Sequence, residues 1–538
     1  MPIIQIFDLT ILNSPCLSCI RILPPAVIVF LSLAVQTSGK AQFSVSAQLR
    51  TRTELRDGYG NPVKQGSKTG AFTSQRTRVS FHYPLELIQF KASFQDIRVW
   101  GQDASTISNA DGSRLMLHEG WAEIRLNPLR DSLRKTGRSI NASLKIGRQE
   151  LNYDDARLIG NLDWLQQGRR HDMAVVKFRN SRWLLESGHA FNQNSDATGI
   201  SGTSYLPGNL PMYIKNSNGV IVPIPAGMVP LTTMGNISSN SIRSGSPAYA
   251  NSSGTNSPSQ DYKSFSHLYL LYKSPASSYS FLFFNDRFGK YKLDSVQVNG
   301  GYVYGRRFVK STPADPFEYS GMTNRFTYGV MISRDLATLN QAGKFNIQIA
   351  AYHQSGRDRD RLALNAYHYS LIASVQNKSL GYSLGYEVLS GNKMSTPVTK
   401  NHRFDPLYGT PHRHWGYMDY FYTGTGSPTG GLKDLYLKLR WGKEKKRWRS
   451  GLDIHTFFLQ HKSPDAEGVA INNYLGTELD WISNYSINPF TSVEIGLAGF
   501  FNSPSAQFAK NLAEGPYKSL ARWAYIQINV RPEIIIKD

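Results

Sequence analysis

The sequence predicts an all-β fold: a single transmembrane, up-and-down antiparallel β-barrel of about 18 strands, with long extracellular loops and short periplasmic turns. Three observations carry this expectation. Polar and apolar residues alternate with period two, the connections sort by length, and the one long apolar run lies near the start. Mean hydropathy is −0.36, too low for a bundle of membrane helices. The 29 Tyr and 45 Gly suit strands and turns better than helices.

Residues 1–41 read as a secretory signal peptide. The run "ILPPAVIVFLSLAV", 22–35, follows Arg21 and precedes the small-x-small pattern Gly39-Lys40-Ala41. It is too short for a spanning helix. The barrel is then expected over 42–538. Cys16 and Cys19 form the only CxxC, but both fall before the expected cleavage, and one pair cannot complete a four-ligand site. No cofactor or metal is expected. The formal net charge is +21, and the leader removes only Asp8, Arg21 and Lys40 from the charge count. An exported, strongly basic protein points away from nucleic acid and towards anionic polysaccharide, anionic solutes or lipopolysaccharide.

In "FSVSAQLRTRTEL" the apolar Phe43, Val45, Ala47 and Leu49 alternate with Ser44, Ser46, Gln48, Arg50, Arg52 and Glu54. "SQRTRVSFHY" does the same from Thr77, as do "KFNIQIAAYHQ" and "RWAYIQINV" further on. Strands are predicted at 43–55, 74–84, 88–100, 117–126, 141–149, 171–179, 183–192, 265–273 and 278–287. The second half adds 324–334, 344–354, 367–376, 380–388, 431–441, 448–460, 472–482, 491–502 and 518–530. Odd-numbered connections are long (150–170, 193–264 and 389–430 among them), whereas most even-numbered ones are short. A membrane barrel sorts its loops in this way, and a Greek-key sandwich has no reason to. The Ser/Asn/Gly/Pro-rich 193–264 suits a surface loop or a lid folded into the lumen.

In such a barrel the polar faces point inward, so Arg50, Arg52, Arg76, Arg78, Arg98, Arg125 and Lys145 are the expected pore-lining cations. Glu54, Asp96, Glu119 and Glu123 share those faces as partners. Asp154 and Asp155 are adjacent, and neighbours on an extended chain point apart, so they read as loop anchors rather than an acid/base pair. His412 and His414 in "HRH" read as loop or rim, and "GRDRDR", 356–361, as a solvated charged loop. The aromatics Trp415, Tyr417, Tyr420, Phe421 and Tyr422 are expected in an interfacial girdle. No Gly-x-Ser-x-Gly elbow, P-loop or HExxH is present, and no enzymatic activity is expected.

Two segments carry a family resemblance. "IGRQELNYDDARLIGNLDWLQQGRRHDMAVVKF", from Ile146, looks like the GRQ-x-L-x-Y-x-D-x-RLIG-x-x-DW pattern of the alginate export family, especially its members in Bacteroidetes-type bacteria. "FDPLYGTPHRHWGYMDYF", 404–421, is similar to that family's later segment. The resemblance implies an 18-stranded outer-membrane barrel of a Gram-negative bacterium. Its lumen would be electropositive and partly closed by loops, passing a polyuronate outward with periplasmic export components as partners. It also implies that Arg148 and Arg157 sit near the conduit, with Asp155 and Asp163 pairing or orienting them. The ending "VRPEIIIKD" departs from the aromatic insertion signal usual in barrels. A general anion or small-solute uptake porin would differ only in substrate and direction.

Overall fold

The computed structural model describes residues 42–101, 115–127, 140–192, 212–230, 262–289, 291–308, 322–336, 343–359, 361–377, 379–397, 399–422, 428–442, 446–465, 467–510, 512 and 514–537. The expected signal segment, 1–41, and most of 193–264 lie outside them.

Eighteen antiparallel strands close on themselves. In chain order they are β1 Gln42–Asp57, β2 Gly70–Pro84, β3 Ile88–Val99, β4 Met116–Arg125, β5 Asn141–Gln149, β6 His171–Arg179, β7 Trp183–Phe191, β8 Ser264–Lys273 and β9 Ser277–Phe288. The second half is β10 Thr323–Leu336, β11 Lys344–Arg357, β12 Ala363–Gln376, β13 Leu380–Leu389, β14 Leu432–Trp441, β15 Trp448–Phe458, β16 Tyr474–Asn488, β17 Thr491–Asn502 and β18 Leu520–Val530. Each pairs with its sequence neighbour, and β1 pairs with β18 from Leu49↔Val530 to Asp57↔Arg522. Closure leaves no open edge, as hydrocarbon requires, because an unpaired backbone N–H or C=O there has no water to turn to.

The period-two pattern fixes what each face meets. Leu49, Leu371, Leu384, Leu497, Ile526 and Ile528 point outward and are about half exposed. A continuous apolar surface of this kind would drive association in water, whereas in a bilayer it is the lipid-facing belt. At the periplasmic end the belt is bordered by outward aromatics. Trp183 packs on Tyr272 with ring centroids 4.6 Å apart, and Trp448 packs on Tyr485 at 6.0 Å. These rings, with Tyr279 and Phe490, occupy the girdle position expected for 415–422. The latter segment is buried inside the barrel instead.

The C-terminal departure also finds its place. The chain breaks pairing at Pro532, which has no N–H to donate, then resumes as Glu533–Lys537 against Gln42–Ser46. The basal end of the β1 seam is thereby paired. Outside the barrel, small strands at Tyr291–Val298 and Gly301–Phe308 form a hairpin to which Met228–Pro230 adds a third strand. Tyr213–Lys215 pairs with Ile221–Pro223. The 193–264 connection therefore carries short strands of its own, too brief for a period-two signal.

Candidate functional site: the loops folded into the lumen

The long connection after β5, residues 150–170 and here called L3, folds into the barrel. There it meets L7, the 390–431 connection, and the two segments that carry the family resemblance lie side by side. Gly160 N–H donates to Tyr408 O at 2.9 Å, Tyr408 N–H to Leu158 O at 2.9 Å, and Thr410 N–H to Ala156 O at 2.7 Å. This short parallel ladder joins RLIG to PLYGT. Glycine is required at the crossing: a Cβ on Gly409 would stand 1.9 Å from Arg157 O, and one on Gly160 would stand 2.4 Å from Thr410 Oγ1. The two loops hold six of the eight non-glycine residues with positive φ among the described residues: Asp154, Ala156, Leu162, Leu407, Asp419 and Tyr422. Such conformations persist only where packing over-determines them. Leu158, Ile159, Trp415, Met418, Tyr420 and Phe421 are buried in the core that fills this part of the lumen.

The barrel wall grips both loops through charged side chains. Guanidiniums from β1 and β2 hold L3 by its carbonyls and one carboxylate. Arg52 donates to Trp164 O at 2.9 Å, Arg50 to Leu165 O at 3.2 Å, and Arg76 to Gln166 O at 3.2 Å. Asp163 accepts from Arg76 at 2.8 Å and from Arg50 at 3.2 Å. Burial would raise the Asp163 carboxyl, but these two cations hold it at about 2. Arg78 bonds Gln95 and approaches Glu150 at 3.7 Å. L7 is held by charges of both signs. Met418 N–H donates to Glu478 at 2.7 Å and Tyr417 N–H to Asp480 at 3.3 Å, both acids on β16. On the far wall Arg325 bonds Asp286 of β9 and, at 2.5 Å, Asp405 of L7. The junction is Arg157, fully enclosed between Asp155 at 3.2 Å and Glu387 of β13. Glu387 also accepts from Trp415 Nε1 at 3.0 Å. Trp164 stacks on His412, centroids 4.0 Å apart, while Arg52 lies 3.9 Å over the same indole. His412 bonds Asp419 at 2.8 Å, and His414 bonds Asp155 O at 3.2 Å.

The expected pore-lining set divides. Arg50, Arg52, Arg76 and Arg78 face inward, with Arg50 directly opposite Arg76 in the β1–β2 register. Lys145 faces inward with Nζ 3.9 Å over Trp121, and Arg125 bonds Asn141 at the periplasmic end. Asp155 pairs with Arg157 as expected, whereas Asp163 serves the β1–β2 arginines. Two expectations are corrected. Arg98 follows inward Ile97 by one residue, so it lies on the outer face, paired with Asp96. Arg148 follows inward Gly147 and forms a two-pronged outward pair with Asp172 of β6, both bonds 2.7 Å. A one-residue offset along a strand reverses the face. "GRDRDR" is likewise not simply solvated. Arg359 pairs with Asp405 at 3.1 Å, and Asp358 is buried, accepting from Leu362 N–H at 2.8 Å.

Sequence reading missed Glu387, Arg325, Lys177 and Lys273. All four fall on the inward parity of their strands, so the same alternation that marked Arg50 would have flagged them. Among the described residues His118, Glu119 and Glu150 bring ligand-type atoms within 4.8 Å of one another, but Lys91 and Arg78 already answer the two carboxylates. A cavity of about 530 Å³ lies under L3 on its periplasmic side, against β5–β11.

Residues 41–189, from β1 into β7, match the alginate export family. No curated protein sequence matches the chain. Among solved structures it is similar to Acinetobacter baumannii OccAB4, at 11% identity and TM-score 0.52, covering 92% of this chain and 99% of that one. It is similar to Pseudomonas aeruginosa OccK9 (OpdG), at 10% and 0.51, covering 91% and 98%. Pseudomonas aeruginosa OccK3 (OpdO) gives 11% and 0.51, covering 91% and 96%. At such identities these likenesses speak to the fold.

Proposed function

We propose that the chain is an outer-membrane channel of the alginate-export type, and that its basic lumen passes an anionic polysaccharide, an alginate-like polyuronate, or related anionic solutes. The observation that supports this most is the run of inward cations around the wall, Arg50, Arg52, Arg76 and Arg78 on β1–β2 and Lys145, Lys177 and Lys273 on β5, β6 and β8. Cations lining a pore lower the electrostatic barrier for carboxylates and raise it for cations. Passage is passive, with L3 and L7 setting the width and the wall charges giving weak, repeated contacts. Outward Arg98 and Arg148, at the outer ends of β3 and β5, lie where the acidic headgroups of lipopolysaccharide would reach them.

Planar-bilayer reversal potentials in a salt gradient test the reading. Anion selectivity is expected, reduced by the Arg76→Gln plus Arg78→Gln variant. Cation selectivity after verified insertion overturns it.

A further inference from the structure

Glu478 and Asp480 stand two residues apart on β16, so both face the lumen. Both are no more than 1% exposed, and neither forms an ion pair among the described residues. We infer that the two acids share a single proton, and that this proton latches L7 across the lumen, so that its loss releases the 416–420 segment and widens the passage. The inference rests on the reading of L7 as a loop that sets the width of the channel, and adds a control to it.

The contacts are those of a half-protonated pair. Each acid gives one oxygen to L7: Glu478 Oε1 accepts from Met418 N–H at 2.7 Å, and Asp480 Oδ2 from Tyr417 N–H at 3.3 Å. The remaining oxygens, Glu478 Oε2 and Asp480 Oδ1, are buried and find no donor elsewhere. The two side chains nevertheless bond each other. A carboxylate has no hydrogen to give, so that contact requires one of the two to be protonated. Two adjacent carboxyls in an enclosed site cannot both stay ionised without a cation. Gly416 lets L7 lie directly on the pair: a Cβ there would stand 2.4 Å from Glu478 Oε2.

No neighbouring element supplies the missing charge. On β15, His455 lies opposite Glu478 and Asp453 opposite Asp480. His455 Nδ1 is held by Asp434 of β14 at 2.8 Å. Asp453 takes both nearby cations of β14, Lys438 at 3.2 Å and Arg440 at 2.9 Å. On β17 the residues opposite are Phe500 and Ala498, while Glu494, further down, accepts from Tyr525. L7 brings another acid, Asp419, bonded by His412 and Tyr59. Lys510, in the connection after β17, donates to Tyr420 O. A second negative charge on the pair would therefore face Asp419 and Asp453 rather than a cation. Withdrawal of L7 admits water and relieves it.

Once L7 is withdrawn, both acids are hydrated as ordinary carboxylates, so the closed state binds one more proton than the open one. By linkage, the open-to-closed ratio rises about 10-fold for each pH unit above the ordinary carboxyl range near 4, until the latch has lost its proton.

The test is single-channel recording of the full-length barrel in planar bilayers from about pH 5 to about pH 9, with amide-exchange protection factors at Tyr417 and Met418. Conductance of the parent should climb with pH, and the protection of the two amides should fall with it. Glu478→Gln gives Asp480 a permanent N–H donor and keeps an acceptor for Met418, so it should hold the parent's low-pH conductance across the range. Asp480→Asn should do the same from the other side. A parent whose conductance ignores pH, or a pH response that survives in both variants, overturns the latch. An anion-selective channel with flat conductance sinks the latch alone. A cation-selective channel whose pH response disappears in Glu478→Gln sinks the anion reading alone.

Discussion

The arginine wall of β1–β2 and the lysine bay of β5–β8 face the same lumen and do opposite things with positive charge. On β1–β2 the guanidiniums are enclosed. Arg50, Arg52 and Arg76 are each no more than 3% exposed, and their donors go to L3 carbonyls and Asp163. In the bay Lys145 and Lys273 form no ion pair among the described residues, although Glu123 stands opposite Lys145 in the β4–β5 register. The difference follows from the side chains. A planar guanidinium with five donors can bind several carbonyls in fixed directions, so it serves as a clamp. An ammonium on a flexible stem is a mobile point charge suited to transient contacts. A count of inward cations would treat the two walls alike, although one sets the shape of the passage and the other remains available to what moves through it.

The contrast breaks most strongly when L3 loses the acid that holds it from β13. Glu387→Gln leaves Arg157 enclosed without its main counter-charge, which should cost about 3–5 kcal/mol. A large fall in Tm and higher single-channel conductance are expected, read by thermal unfolding and bilayer recording. Unchanged conductance would mean that L3 does not limit the passage. Gly409→Ala puts a methyl group against Arg157 O and should part the L3–L7 ladder, destabilising by about 1–3 kcal/mol. Its signature is faster amide exchange at Tyr408 and Thr410.

Asp163→Asn should act less, about 1 kcal/mol or below, because that carboxylate is partly exposed. It frees Arg50 and Arg76, so anion selectivity should rise. The pH dependence follows from the same pair. The folded-state value of Asp163 is depressed to about 2, so its contribution is fully present above the ordinary value near 4 and is lost as pH falls from about 4 through about 2. Stability measured across that window should drop more in the parent than in the Asn variant. The smallest effect belongs to the outward pairs. Arg98→Gln and Arg148→Gln should leave ion selectivity unchanged, and a shift comparable to that of a β1–β2 variant would contradict their placement on the outer face.

The sequence determined the barrel because a strand between lipid and a wet lumen must alternate. That rule is local, and the expected segments fall close to the eighteen observed strands, with 141–149 and 491–502 matching at both ends. The largest differences are at Asn488, Gly70 and Ala363, where β16, β2 and β12 run beyond the predicted segments. The same local rule carried the inward arginines, but misjudged Arg98 and Arg148, where one residue of offset exchanges the two faces. It could not say where the loops go. Arg157 meets Glu387 across 230 positions, and Arg169 meets Gly409 across 240. Nothing in the spacing of either residue records its partner.

Only the tertiary structure decided that L3 and L7 fill the outer lumen, that Trp415, Tyr420 and Phe421 form a core rather than a girdle, and that the arginines clamp while the lysines stay open. Alternation along a strand states which side of a wall a residue occupies. The pairing of charges across an enclosed space depends on closure, and closure is a property of the whole chain.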